Sequence, residues 1–226
     1  MQPQQCPAFF KQYFTFWDQL TPAQQQTLCA ATHPLHCGKG ENVHGTGGCT
    51  GVLVIQSGCL RGYLLSEEGR EITLFRAYPG EVILLSAPCA MRQITLEVMI
   101  DAEEETDLLV IDGAAYANVT SENIYAENFS LRAAAARLSD AVWVMEQIMF
   151  MRFDRRLAAF LLDEMDKSGS QQLKMTHDQI ARYMGTAREV VSRMLRYFTA
   201  EGIVRQSRGT IQLLDRQKLE TISGRY

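Results

Sequence analysis

The chain has 226 residues and a mass of 25.5 kDa, with 46% hydrophobic and 21% charged residues and a mean hydropathy of -0.12. Such values are typical of a soluble globular protein and exclude a disordered or fibrous chain. No apolar run approaches the roughly 20 residues that a membrane span needs. The first residues also lack the basic and apolar parts of a secretory signal. We therefore expect a cytoplasmic protein with no membrane partner.

The net charge of -4 hides an asymmetry along the chain. Residues 1–151 carry 8 Lys and Arg against 17 Asp and Glu, a balance of -9, whereas residues 152–226 carry 14 against 9, a balance of +5. A basic module is attracted to phosphate and releases counterions from nucleic acid. The charge therefore favours a nucleic-acid-binding function for the C-terminal part.

All the cysteines lie in the first 89 residues, at positions Cys6, Cys29, Cys37, Cys49, Cys59 and Cys89. Because the cytoplasm is reducing, we expect free thiols.

The first half of the chain is rich in β-prone runs. Thr21 to Gln24 predicts a capped helix start, and this helix should end near Cys29. Between His33 and Ala117, short β-prone runs are separated by glycines, with a hairpin expected at Glu67 to Arg70. Closely spaced short strands with turn signals predict an antiparallel sandwich or barrel.

The glycines disappear after about Val119, and a stripe with heptad spacing begins. Its members are Ile124, Asn128, Leu131, Ala135, Leu138, Val142, Met145 and Met149. Such a stripe keeps one face towards a partner helix and predicts a parallel homodimer, although a helix lying on its own domain has the same spacing. A further amphipathic helix is expected over Phe153 to Met165, followed by a polar break at 167–170.

Residues 175–195 predict a helix-turn-helix. Two capping boxes are expected ten residues apart, the first pairing Thr176 with Gln179 and the second pairing Thr186 with Glu189. Between them, Gly185 ends the first helix. The following segment IVRQSRGTIQLL predicts a hairpin with Arg205 and Arg208 near its turn, which completes a winged helix-turn-helix.

These motifs together resemble the cAMP receptor protein and fumarate-nitrate regulator (Crp/Fnr) superfamily over nearly the whole chain. The resemblance is most specific in the segment Arg188 to Arg193, REVVSR. It implies an α+β fold with an N-terminal antiparallel β-roll (a double-stranded β-helix like that of cyclic-nucleotide-binding domains), a long dimerisation helix and a C-terminal winged helix-turn-helix. We expect an effector-sensing roll at 1–118, the dimerisation helix at 119–151 and the DNA-binding domain at 152–226.

The resemblance implies a homodimeric transcription regulator whose partners are palindromic double-stranded DNA, RNA polymerase and a small effector. Arg donors suit guanine O6 and N7, and a carboxylate accepts from the cytosine amino group. We therefore assign Arg188 and Arg193 to guanine, and Glu189 to cytosine or to orienting Arg193. The residues expected on phosphates and sugars, or otherwise at the DNA, are Thr176, Thr186, Ser192, Arg196 and Arg208.

The effector cannot be named from the sequence. Cyclic-nucleotide members of the family carry a phosphate cassette with a Gly-Glu pair and a later Arg-Ser pair, but this chain has Leu84-Leu85 at the second Gly-Glu position and no Arg-Ser. A phosphate bound there without hydrogen-bond donors would lose its hydration and gain few compensating hydrogen bonds. This argues against cyclic nucleotides as the effector. The candidate effector-pocket residues are Ser86, Cys89 and Arg92.

Other cofactors also stay open or are disfavoured. The cysteine spacing does not resemble an iron–sulfur motif. A metal on His33, His36, Cys37 and His44 is disfavoured because these residues would not converge from extended chain. Haem, or a thiol switch at Cys89 or Cys6, remains open. Cys89 is the thiol of first interest, because it lies in the segment Ser-Ala-Pro-Cys, where the resemblance implies that the effector binds.

Two other functional classes compete with a DNA-binding regulator. A cupin-like metal enzyme would need two His two residues apart, which His33 and His36 are not, so we expect no enzyme. A ligand-binding module acting on a protein partner is disfavoured by the capped C-terminal unit with its paired arginines.

Overall fold

The computed structural model describes residues 6–45, 48–85, 87 and 98–224. The helices are α1 Cys6–Tyr13, α2 Pro22–Ala30, α3 Gly113–Glu122, α4 Ile124–Phe150, α5 Phe153–Ser168, α6 His177–Met184, α7 Arg188–Ala200 and α8 Arg216–Ser223, with a 3-10 helix at Trp17–Gln19. The strands are β1 Thr32–Cys37, β2 Asn42–His44, β3 Val52–Ser57, β4 Leu60–Leu65, β5 Glu71–Ala77, β6 Val82–Ile83, β7 Met99–Ala102, β8 Thr106–Ile111, β9 Gln172–Leu173, β10 Val204–Ser207 and β11 Thr210–Leu213.

The chain forms two compact units. The first contains the described residues of 1–64 with those of 74–141, and the second contains 65–73 with the described residues from 142 onwards. The division of the chain by function, at 118 and 151, stays a prediction.

Two four-stranded sheets form the β-rich part of the chain. One has the order β1-β8-β3-β6 and the other β2-β7-β4-β5. The pairs β1 with β8, β3 with β8, and β4 with β7 are antiparallel. Strand β3 buries four consecutive residues, Val52 to Ile55, because both of its faces are covered. The predicted antiparallel β-domain and the hairpin between β4 and β5 are confirmed.

An aromatic cluster holds the start of α4. The rings of Phe14 and Phe16 lie 5.5 Å and 5.3 Å from that of Phe129 on α4, measured between centroids. A hydrogen bond of 2.9 Å also joins the buried hydroxyls of Tyr116 on α3 and Ser130 on α4. These contacts fix which face of α4 is turned inwards.

The second unit has its own hydrophobic core. It is built from one face each of α5, α6 and α7, together with the small sheet β10-β11-β9. Its largest buried members include Leu161, Leu195 and Phe198. The hairpin of β10 and β11 pairs Ser207 with Thr210. The predicted helix at Phe153, the helix-turn-helix and the hairpin are all confirmed.

Two sequence predictions need correction. The long helix does not run from Val119, because α3 ends at Glu122 and Asn123 turns the chain and caps α4. The expectation of free thiols is wrong for Cys6 and Cys29, which form a disulfide, and for Cys49, which is also disulfide-bonded.

Sequence reasoning also missed β1, β2, β9, α1, α3 and α8. In the described part of the chain no helix is both long and apolar enough to cross a membrane.

Candidate nucleic-acid interface

The turn of the helix-turn-helix is fixed by a cap at each end of α6. The hydroxyl of Thr176 accepts from the amide of Gln179 at 3.2 Å, and the amide of Thr176 donates to the Gln179 side chain at 2.8 Å. At the other end, Gly185 has φ 61°, a left-handed conformation that glycine adopts without strain. The first predicted capping box is confirmed.

The second predicted capping box is absent. The N-cap of α7 is Ala187, which has no side-chain capping bond, so Thr186 and Glu189 do not form the reciprocal pair. The sequence pattern was misleading because the chain leaves the turn one residue later than the Thr186 position requires.

Helix α7 separates an apolar face from a polar one. Val191, Leu195 and Phe198 are fully buried in the core of the second unit. The exposed polar side chains on this helix include Arg188, Glu189, Arg193 and Arg196. At about 100° per residue they fall, with Ser192, within about 140° of the helix circumference. Burial of the apolar face therefore leaves one continuous polar face.

The exposed arginines on this face differ in how firmly they are held. Arg188 lies 3.7 Å from the carboxylate of Asp178 on α6, and both side chains are more than half exposed. Such a surface pair contributes little stability, so the arginine is easily released to another acceptor. Arg193 makes no ion pair with any of the described residues. Both guanidiniums are therefore available to hydrogen-bond acceptors from outside the chain.

Ser192 is held inside the motif. A hydrogen bond of 2.7 Å joins its hydroxyl to Nδ1 of His177, at the start of α6. The pair ties the start of α6 to the second turn of α7. Sequence reasoning missed His177, because the two residues are 15 apart and only the turn brings them together.

A second residue outside the motif holds α6 from its C-terminal end. The guanidinium of Arg156, on α5, donates to the carbonyl of Met184 at 2.6 Å. Burial lowers the pKa of Arg156. A cation at a helix C-terminus satisfies the free carbonyls there, so Arg156 positions α6 without being exposed on the polar face.

The turn of the β10–β11 hairpin carries an exposed cation. Arg208 lies between the paired Ser207 and Thr210, beside Gly209 with φ 71°. A two-residue turn of this kind needs a positive φ that glycine supplies. The hairpin thus presents Arg208 at its tip, as the sequence predicted.

The candidate effector residues Ser86, Cys89 and Arg92 all lie outside the described residues. The turn that precedes them is described. The amides of Gly80 and Glu81 donate to the carbonyls of Ile55 and Tyr78, each at 3.0 Å. These two amides are already used by the fold and are not free to hold an anion.

A cavity of about 240 Å³ lies in the first unit beside α4. Its lining is apolar except for one arginine and comprises Leu74, Phe75, Leu85, Val98, Leu131, Ala134, Ala135, Arg137, Leu138 and Ala141. The Arg137 guanidinium donates to Glu81 at 2.9 Å and to Asp140 at 3.2 Å, and it stacks 4.7 Å from the centroid of the Phe75 ring. Its charge is already neutralised by two carboxylates, so the cavity suits an uncharged apolar molecule better than an anion.

Two of the three histidines considered for a metal, His36 and His44, are otherwise engaged. His36 bonds Asp107 at 2.8 Å and Glu105 at 3.1 Å, and the Asp107 bond is the main reason that the pKa of His36 is raised. His44 shares a bond of 2.8 Å with Thr50. Over the ranges that the structure describes, no cluster of three or more His, Cys, Asp or Glu could hold a metal ion.

The architecture and the polar α7 face together define a DNA-binding protein of the winged helix-turn-helix class. Residues 155–222 match the family model of the Crp-like helix-turn-helix domain. A solved structure of a protein assigned to the Crp/Fnr family, from Eubacterium rectale, is 44% identical with a TM-score of 0.89, covering 94% of this chain and 99% of that one.

Two curated relatives are similar over 76% of the chain. The cyclic AMP receptor protein of Thermus thermophilus is 28% identical, with 79% of its length covered. The transcriptional regulatory protein btr of Bordetella pertussis is 25% identical, with 73% covered. The chain belongs to the Crp/Fnr family of transcriptional regulators. This confirms the predicted resemblance and fold, and a regulator rather than an enzyme.

The difference between the two threonines of the motif can be measured. Thr176→Ala removes a side-chain cap and should lower the free energy of unfolding by about 1 kcal/mol. Thr186→Ala removes no cap, so its effect should stay within about 0.5 kcal/mol. Urea denaturation followed by circular dichroism gives both values. Equal losses would contradict the assignment of the cap to Thr176 alone.

Cyclic AMP and cyclic GMP should not bind at physiological concentrations. Leu84 is buried in the core, Leu85 lines the apolar cavity, and the amides of Gly80 and Glu81 are used by the backbone. Isothermal titration calorimetry is the direct measurement. Micromolar affinity for either nucleotide would show that the phosphate-binding loop has been placed in the wrong segment.

Proposed function

We propose that this Crp/Fnr regulator is a cytoplasmic homodimer that binds a palindromic DNA site and is gated by a chemical signal received in the β-domain. The observation that carries the DNA-binding part is the polar face of α7, which the buried face fixes in orientation. The family membership adds support, since two of the relatives named above, the btr protein and the Eubacterium rectale protein, are described as transcriptional regulators. RNA polymerase is the further partner that we propose for such a regulator.

The heptad stripe of α4 supports the homodimer. All eight of its members are exposed in the single chain. The six large ones, Ile124, Leu131, Leu138, Val142, Met145 and Met149, are between 42% and 64% exposed. The opposite side of the helix is already buried through Ala126, Ser130 and Ala134. A stripe of this length left in water is costly, and pairing with the same stripe of a second copy buries it.

A two-fold dimer would also explain the DNA geometry. Two α7 helices related by a two-fold axis read half-sites one helical turn apart, about 34 Å. This requires a palindromic site, since each copy presents the same face.

We assign direct base readout to Arg193 and Arg188, which can donate to guanine, and to Glu189, which can accept from cytosine or orient Arg193. Arg196, Thr176 and the hairpin Arg208 would hold phosphates or sugars. The Thr176 hydroxyl keeps its hydrogen for a phosphate while it accepts from Gln179. Ser192 would contact a phosphate or sugar of the DNA while its hydroxyl stays hydrogen-bonded to His177.

The cavity beside α4 bears on the chemical nature of the signal. The apolar cavity beside α4 favours a small uncharged molecule over a cyclic nucleotide. The cavity shares Leu131, Ala135 and Leu138 with the heptad stripe, so a bound molecule and a second copy would both contact the same side chains. Signal binding and dimerisation would then be thermodynamically linked.

Replacing Leu138 with Glu should weaken the dimer. The carboxylate would be buried at the interface without a partner, which costs several kcal/mol. Sedimentation should shift towards the monomer, and binding to palindromic DNA should be lost. The matched control is Ala136→Glu, since Ala136 is exposed but lies outside the stripe. A Leu138→Glu protein that stays dimeric would place the interface elsewhere.

Arg193 and Arg196 should differ in how they respond to DNA sequence. Arg193→Ala should cost about 1 to 3 kcal/mol on a selected site and much less on scrambled DNA, because it removes a base contact. Arg196→Ala should weaken both duplexes alike and lower the salt slope by about one per contact, or about two for the dimer.

The measurement is binding to both duplexes over a salt series, after selection of the site from random-sequence DNA. Equal melting temperatures of the two variants exclude a shared folding defect. Equal loss on both duplexes for Arg193→Ala would remove its base-reading role and leave Arg188 and Glu189 as candidates. Failure of the wild type to select any DNA would favour a module that acts on a protein partner.

A further inference from the structure

The two cysteines of the disulfide in the first unit differ in access to solvent. Cys6 begins α1 and Cys29 lies near the end of α2, 23 residues later, with their Cα atoms 5.8 Å apart. Cys6 is almost completely buried, whereas Cys29 is partly exposed. Cys29 is therefore the half of the bond that a reagent from solution would approach, while Cys6 lies within the buried aromatic-rich cluster of the first unit.

The remaining described thiols are poorly suited to redox chemistry. Cys37 and Cys59 are free and buried. Burial raises the pKa of both, that of Cys59 to about 12, so little thiolate is present at neutral pH. Cys49 is also disulfide-bonded and has to be controlled for in any test.

The Cys6–Cys29 bond is connected through packing to α4. Phe10 of α1 stacks on Trp17 at 4.6 Å and lies 5.2 Å from Phe14, which in turn contacts Phe129 of α4. The carbonyl of Gln19 accepts from Asn123 at 3.0 Å, and the same Asn123 caps the first amides of α4. The N-terminal segment thus supports both the inner face and the N-terminus of α4.

Helix α1 has eight residues, too few to be stable without tertiary contacts. Its position depends on the aromatic packing and on the bond to α2. Breaking that bond releases a closed loop and gives the segment more freedom to leave α4.

We propose that Cys6 and Cys29 form a reversible thiol–disulfide site whose reactant is a low-molecular-weight disulfide, and that its oxidised form stabilises α4 for dimerisation. The inference rests on the proposed role of α4 in the homodimer. In a reducing cytoplasm a disulfide is typically catalytic or redox-sensing, and a reactive site needs one accessible sulfur and one resolving thiol, as this pair provides.

The reaction balances as two thiol–disulfide exchanges. The Cys29 thiolate attacks glutathione disulfide, forms a mixed disulfide and releases one glutathione thiolate. The Cys6 thiolate then attacks the Cys29 sulfur and releases the second glutathione. Two protein thiols are oxidised, one glutathione disulfide is reduced to two glutathione molecules, and the two protons pass to the released thiolates.

The test uses the full chain carrying Cys49→Ser and Cys89→Ser, so that Cys6 and Cys29 remain with only the two buried thiols. The protein is equilibrated over a series of glutathione to glutathione disulfide ratios, trapped by alkylation and examined by mass spectrometry. We expect the Cys6–Cys29 bond to open and close across the series. A bond that resists excess glutathione, or thiols that stay open in excess glutathione disulfide, would overturn the proposal.

The functional arm compares oxidised and reduced protein by sedimentation and DNA binding. Reduction should lower the melting temperature by about 5 to 10 °C and weaken dimerisation about fivefold or more. Cys6→Ala and Cys29→Ser in the same background should behave as the reduced protein at every ratio. The control Cys37→Ala should keep the full redox response.

The outcomes separate this inference from the proposed function. Dimerisation and DNA binding that are unaffected by the redox state would refute the inference and leave the proposed function intact. If Leu138→Glu stays dimeric, the proposed role of α4 fails, whether or not the Cys6–Cys29 bond responds to glutathione.

Discussion

Helix α4 has one face buried in the first unit and an opposite face that is apolar and exposed, and much of the molecule depends on this division. One face is buried through Ala126, Ser130 and Ala134. Small side chains let the helix backbone approach the aromatic cluster and Tyr116 closely. The other face carries large apolar residues that stay between 42% and 64% exposed among the residues that the structure describes. This helix of 27 residues has one face occupied and the other apolar and exposed, which is why we propose that a second copy of the chain covers it.

In the DNA-binding unit, too, the buried face of a helix decides which side chains its other face exposes. Val191, Leu195 and Phe198 enter the core and fix the rotation of α7 about its axis. The arginines of α7 are exposed because burial of the apolar residues turns the opposite face of the helix outwards. The supports from His177 and Arg156 hold the two ends of α6 in place. Base readout needs this rigidity, because a bidentate contact tolerates little displacement.

Two features of the β-domain are candidates for receiving the proposed signal. The cavity beside α4 is apolar, and its single cation is neutralised by Glu81 and Asp140. The Cys6–Cys29 bond lies elsewhere in the unit and supports the first turns of α4 through aromatic packing. Both are linked to the same helix, so a change at either can alter how the heptad stripe is presented.

The sequence by itself determined the class of fold and the principal elements of the DNA-binding unit. Hydrophobic periodicity, the Thr176 capping box and Gly185 are local signals. They involve residues only a few positions apart, so they can be recognised without the tertiary structure. The stripe of α4, from Ile124 to Met149, was readable for the same reason. The predicted start of the long helix at residue 119 was wrong, because α3 ends at Glu122 and a separate helix begins at Ile124.

Only the tertiary structure decided the contacts between residues far apart in sequence. It paired Cys6 with Cys29 where free thiols were expected, joined His177 to Ser192, and neutralised Arg137 with Glu81. It also placed the N-cap of α7 at Ala187, where the pattern of Thr186 and Glu189 suggested another capping box. These contacts depend on how elements pack against one another, and no spacing along the chain encodes that geometry.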